Sequence, residues 1–96
     1  MASLFLMTRH YNIVVEGVVQ GVYFRASAKQ MADLLGLKGF TRNEPNGNVY
    51  IEVEGDEAML VKLIQWCHHG PDKARVTYVS LTEGEMQGYD GFEIRK

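Results

Sequence analysis

Apolar and polar residues alternate over residues 11–16. Tyr11, Ile13 and Val15 share one side, the period-two pattern of a strand with one buried face. The spacing changes at Phe24. Phe24, Ala28, Met31, Ala32 and Leu35 recur at helical intervals as one stripe, and Gly36 follows where a helix-ending glycine belongs. Residues 37–43 predict a second strand. Glu44-Pro45-Asn46-Gly47 has turn chemistry, with Asn-Gly tolerant of positive φ. The third strand is the clearest, with Val49, Ile51 and Val53 on one side and Tyr50, Glu52 and Glu54 on the other. Gly55 ends it, and Asp56 suits the N-cap of a second helix that buries Leu60, Leu63, Ile64 and Cys67. That helix is expected to stop at His68-His69-Gly70-Pro71. Residues 75–82 predict a fourth strand, and Phe92-Glu93-Ile94-Arg95 a short edge piece.

The order β-α-β-β-α-β predicts an α+β, ferredoxin-like two-layer sandwich, an antiparallel sheet with two helices on one face. The right-handed crossover rule makes the first and second strands point the same way. The loop at residues 17–25, Asn43 and the link at residues 70–74 are therefore expected at one end of the sheet. Residues 1–10 read as an N-terminal tail, ordered only if it packs on the domain formed by residues 11–96.

A chain of 96 residues is one domain with a modest core. The net charge of −2 argues against a general nucleic-acid binder. One cysteine, Cys67, allows no intrachain disulfide and fits a reducing compartment. No apolar run approaches the roughly 20 residues of a membrane span, and residues 1–7 are too short for a secretory h-region. The expectation is a cytoplasmic protein without a membrane partner, with a monomer favoured.

The chemistry concentrates at the end of the first strand. Two glycines, Gly17 and Gly21, let the backbone turn so that N–H groups converge, and a helix N-terminus adds partial positive charge. Arg25 falls in the first helical turn, where a cation opposes the helix dipole at a cost of roughly 0.3–1 kcal/mol. A bound anion removes that conflict, so Arg25 is expected to receive a phosphate. Phe24 is expected in the core. Gln20 is open between a substrate contact and a surface role.

Gly17-Val18-Val19-Gln20-Gly21-Val22-Tyr23-Phe24-Arg25, then Gly39-Phe40-Thr41-Arg42-Asn43, then Asn46-Gly47-Asn48-Val49, resemble the acylphosphatases. Gly70-Pro71 and the closing Gly91-Phe92-Glu93-Ile94-Arg95 are similar to that family too, so the likeness spans residue 10 to the end. Thr41 stands where the family often has Val, and Asn46 where Asp is frequent. The resemblance implies hydrolysis of acyl phosphates to a carboxylate and inorganic phosphate, with no metal and no cofactor. It implies that Arg25 binds the phosphoryl oxygens and that Asn43 orients the attacking water. The cradle would be completed by the backbone along Val19, Gln20, Gly21, Val22, Tyr23 and Phe24. An acyl pocket is less legible; Tyr23, Tyr89 and residues 70–74 are candidates to line it.

Competing readings are weaker. Cys67-His68-His69 has a metal site's composition, but adjacent helical residues diverge by about 100° and cannot converge on one ion. Cys67 to Lys73 lacks the arginine and preceding strand of a cysteine phosphatase loop. An RNA-binding module can share this element order, and Lys38-Gly39-Phe40 imitates its aromatic motif, but on the wrong strand. A noncatalytic anion-sensing domain would keep the cradle without activating water.

Overall fold

The computed structural model describes residues 7–96. Its elements run β1 (Thr8–Val18), α1 (Phe24–Leu35), β2 (Lys38–Asn43), β3 (Val49–Asp56), α2 (Glu57–Cys67), β4 (Arg75–Gly84) and β5 (Phe92–Arg95). The expected β-α-β-β-α-β order is present, followed by the short edge strand. The sheet order is β4-β1-β3-β2-β5.

β1 begins earlier than the alternation predicts. Thr8, Arg9 and His10 pair with Asp56, Gly55 and Glu54, and the Met7 carbonyl accepts from the Glu57 amide at 2.8 Å. Residues 8–10, assigned to a tail from the sequence, therefore lie in the sheet. Their polar side chains carry no strand signature. Residues 1–6 of that expected tail lie outside the described residues.

α1 presents Phe24, Ala28 and Ala32 to the core, with Met31 and Leu35 partly buried beside them. Gly36 ends the helix, and the Leu37 amide closes it onto the Ala32 carbonyl at 2.8 Å. α2 starts as its sequence predicts: the Asp56 carboxylate accepts from the Ala58 amide at 2.8 Å, and Glu57 complements the dipole. Leu60, Leu63 and Cys67 are buried, while Ile64 is partly buried. Both helices cover the face formed by Ile13, Val15, Val49, Ile51 and Val53. Each large side chain fully buried there contributes about 1.5–3 kcal/mol, which holds the two layers together.

The sheet is antiparallel across β4, β1, β3 and β2, as expected. β5 departs from that expectation by running parallel to β2, with Gly39 opposite Phe92 and Arg42 opposite Arg95. The reason is topological. β4 ends beside His10, at the end of the sheet where β1 and β2 begin. Residues 85–91 cross the sheet at that end, so β5 enters alongside the start of β2.

The crossing is pinned on the helix-free face by a buried carboxylate. Glu54 accepts from the amides of Gln87 (2.7 Å), Gly88 (2.8 Å) and Tyr89 (3.3 Å), and lies 2.8 Å from His10 Nδ1. Burial pushes the Glu54 carboxyl upward, but the Gln87 amide, the His10 ring and the next two amides outweigh it and hold it below the usual carboxylate range. His10 is only 2% exposed, and its Nε2 lies 2.8 Å from Asn12 Oδ1. Thr41 is buried on β2, and its hydroxyl donates to the Tyr50 carbonyl at 3.1 Å, which accommodates a polar group in a core position.

Candidate active site

β1 and β2 run in the same direction with β3 between them, so their C-terminal ends lie at one end of the sheet. The loop after β1 and Asn43, the last residue of β2, meet there as the sequence predicts. Together they form a pocket of about 360 Å³ lined by Val19, Gly21, Tyr23, Phe24, Arg25, Ala26, Asn43 and Ile94.

The loop is held by apolar feet. Val19 and Phe24 are buried, Val22 packs against the same core, and the Phe24 ring lies against Trp66 with centroids 5.1 Å apart. Gly17 begins the turn at a β-bulge beside β4, with φ of +131°. A Cβ there would lie 2.0 Å from the Arg75 carbonyl oxygen, so only glycine lets the strands approach this closely. Gln20 turns its side chain away from the pocket. Its Nε2 donates to the carbonyls of Glu44 at 2.7 Å and Asn48 at 2.9 Å. Gln20 and Val22 do not line the pocket; Val19, Gly21, Tyr23, Phe24 and Arg25 do.

Tyr23 precedes α1 in a left-handed conformation, φ 66° and ψ 23°, and no other described non-glycine residue has positive φ. Such a conformation costs of order 1–3 kcal/mol. Its side chain makes no capping hydrogen bond and is 77% exposed. Its carbonyl accepts the first helical bond, from the Ser27 amide at 3.0 Å. The leading N–H groups of α1 have no acceptor within the helix. No acidic residue occupies its first turn. The contrast with α2, capped by Asp56 and flanked by Glu57, is direct: one helix neutralises its own positive end and the other leaves it open at a pocket.

Arg25 sits half-buried in this open turn. Its Nη1 donates to the Arg95 carbonyl at 3.3 Å, and no described carboxylate forms an ion pair with it. The carboxylates nearest in sequence keep clear: neither Glu16 nor Glu44 lines the pocket, and Glu44 accepts from Arg42 Nε at 3.0 Å. Asn43 contributes the second unusual group. Its Oδ1 is buried and has no hydrogen-bond partner among the described residues. A buried acceptor left in this state costs about 1–3 kcal/mol.

Two pocket residues escaped the sequence reading. Ala26 follows Arg25, and Ile94 arrives on β5, whose parallel register was not expected. Conversely, two sequence candidates for an acyl pocket lie elsewhere. The Tyr89 hydroxyl donates to Glu52 at 2.8 Å on the helix-free face, and burial with that bond pushes it up to about 12. The link at residues 70–74 packs behind the site: a Cβ on Gly70 would meet the Phe24 ring at 2.5 Å. Cys67 is buried in the core, and burial pushes its thiol up to about 12, unlike a nucleophile. Among the described residues no group of His, Cys, Asp or Glu side chains is placed to hold a metal ion, and no helix is long and apolar enough to cross a membrane.

Comparison with known proteins gives a consistent result. A family model described as Acylphosphatase matches residues 11–94. An acylphosphatase of Anaeromyxobacter dehalogenans is 50% identical over 85 residues, covering 88% of this chain and 91% of the relative. One of Nocardioides sp. is 44% identical over 84 residues, covering 88% and 85%. The crystal structure of acylphosphatase from Bacillus subtilis superposes with a TM-score of 0.89 at 35% identity, covering 94% of this chain and all of that one. The chain belongs to the acylphosphatase family of hydrolases.

Proposed function

We propose that this chain hydrolyses acyl phosphates by gripping the phosphoryl group between Arg25 and the N–H groups of residues 19–25, while Asn43 orients the attacking water. The observation that carries the reading is the pairing, in one pocket, of a guanidinium without a counter-ion and a buried carboxamide oxygen without a donor among the described residues. Each is costly for the protein alone, and each is satisfied by substrate and water.

The chemistry suits these groups. Phosphoryl transfer passes through a loose transition state with charge spread over three equatorial oxygens, so catalysis rests on positioning and charge stabilisation. A guanidinium presents a planar fork to two oxygens and keeps its proton. The open end of α1 supplies further donors and a favourable dipole. The Asn43 oxygen accepts one hydrogen of the water, which aims an oxygen lone pair at phosphorus. Asn43 is not a base, and none is required here. The bond between phosphorus and the bridging oxygen breaks, the carboxylate leaves with the electron pair, and the water's proton passes to a phosphate oxygen. Orientation of the water alone removes several kcal/mol of the barrier.

The acyl group projects past Tyr23 and Ile94, the exposed apolar residues of the pocket wall. The reading calls for no metal or cofactor, and it places the enzyme in the cytoplasm as a monomer acting on a small molecule. An RNA-binding role is disfavoured because Phe40, the aromatic residue in its motif, is 3% exposed and lies 4.0 Å beneath the Arg95 guanidinium. Turnover of benzoyl phosphate, followed by release of inorganic phosphate with and without excess chelator, tests the reading. Chelator-insensitive turnover by the wild-type chain supports it. Phosphate binding without turnover would instead identify an anion sensor.

A further inference from the structure

The two halves of the site reach the pocket on strands that do not touch, because β3 separates β1 from β2. Beyond the strand ends, the backbone hydrogen bonds do not join them. The turn after Asn43 closes on itself: the Glu44 amide donates to the Asn48 carbonyl at 2.9 Å, and the Gly47 amide to the Glu44 carbonyl at 3.1 Å. Among the described residues, the hydrogen bonds between the anion loop and this turn are the two made by Gln20 Nε2. They end on the carbonyls of Glu44 and Asn48, the residues that immediately flank the Asn43–Val49 pair.

We propose that Gln20 is a positioning residue that fixes Asn43 relative to the phosphate loop. The inference rests on the hydrolytic reading above. Each amide hydrogen of Gln20 is spent on a carbonyl that already accepts a backbone bond, so the side chain locks a turn that is otherwise complete. Its value lies in where it holds that turn. The apolar feet Val19, Val22 and Phe24 anchor the loop independently, so losing the tether leaves the cradle in place and frees the Asn43 end. A near-attack geometry is lost with displacements of about 1 Å, so the tether acts on turnover more than on binding.

The test uses the full chain with benzoyl phosphate as substrate and inorganic phosphate as competitive inhibitor. Gln20→Met keeps the length and removes the donors; Gln20→Glu keeps the shape and turns an oxygen toward both carbonyls. Both variants are expected to lose about tenfold or more in kcat while Ki for phosphate changes by less than about threefold. In an Asn43→Ala background, Gln20→Met is expected to cost less than about twofold, since the residue it places is gone. Circular dichroism and melting confirm the fold, and Gln20→Asn, with the amide drawn back by one methylene, replaces the methionine variant if that one does not fold. An unchanged kcat, a Ki that weakens in step with kcat, or an equal cost in both backgrounds would overturn the proposal. Absence of turnover by the wild-type chain would instead overturn the hydrolytic reading.

Discussion

Arg25 and Asn43 line one pocket although the strands that deliver them have no hydrogen bond in common. β3 lies between those strands, antiparallel to both, and this forces their C-terminal ends to the same side. The juxtaposition of the two strand ends therefore follows from the order of elements, and the bulged loop with its left-handed Tyr23 then sets Arg25 at the start of α1.

The conflict between Arg25 and the dipole of α1 makes function and stability separable. Arg25→Ala is expected to lower kcat/KM for benzoyl phosphate by roughly 10²–10³-fold, the usual loss for one donor to a transition-state oxyanion. The same variant is expected to be as stable as the wild type, or more stable by about 0.3–1 kcal/mol. Steady-state kinetics and urea denaturation on the same preparation check both. Arg25→Lys is expected to restore little, because an ammonium lacks the planar fork. A large loss of stability in Arg25→Ala would mark the residue as structural.

Asn43→Ala is expected to reduce kcat by roughly 10²-fold while leaving the inhibition constant of phosphate within about threefold. It also removes a buried acceptor that has no partner among the described residues, so its melting temperature is expected to equal or exceed that of the wild type. Parallel loss of kcat and phosphate binding would make Asn43 a ligand instead of a water-orienting group.

Most of this architecture is legible in the sequence, because period-two and helical spacing, Asp56 and Gly36 all act locally. The place of the candidate pocket is partly legible for the same reason: a strand, a glycine turn and a first-turn arginine fall within one continuous stretch, while Asn43 reaches it through the element order. What the sequence hides depends on distant partners. The β1 extension through His10 is polar and is stabilised by Glu54, far along the chain. β5 is parallel because of where residues 85–91 cross, and with it come Ile94 in the pocket wall and the Arg95 carbonyl that meets Arg25. Tyr23 shows the opposite case. A left-handed tyrosine contradicts local preference, and only the geometry of the helix entry reveals it.

Tyr23 and Ile94 give the pocket an apolar lip beyond the single cation. Tyr23→Ala and Ile94→Ala are each expected to lower kcat/KM for benzoyl phosphate about tenfold more than for acetyl phosphate, in line with the modest selectivity of apolar contacts. A comparison of the two substrates across the three proteins measures this directly. Equal losses with both substrates would place the acyl group elsewhere.

Acid stability depends on the helix-free face. The Glu54 carboxyl is held below its ordinary range in the folded chain, so it stabilises the fold above the unfolded value of about pH 4.3. That contribution is lost as pH falls from there through the depressed folded value. Denaturation across pH 2–7 (roughly the span of carboxylate titration) is expected to show a steeper acid decline in the wild type than in Glu54→Gln. The variant is also expected to be less stable near neutrality by about 1–3 kcal/mol, the usual cost of leaving a buried donor unsatisfied, because it replaces one acceptor of the Gln87, Gly88 and Tyr89 amides with an NH2. Matching slopes in the two proteins would show that this carboxylate does not control the acid limb.

A crystal structure with saturating inorganic phosphate tests the central claim most directly. Phosphate oxygens are expected on the Arg25 guanidinium and on amides of residues 19–25, with a water held by the Asn43 carboxamide oxygen beside the phosphate. Phosphate bound outside this pocket, or within it while the guanidinium points to solvent and the carboxamide holds no water, would contradict the account.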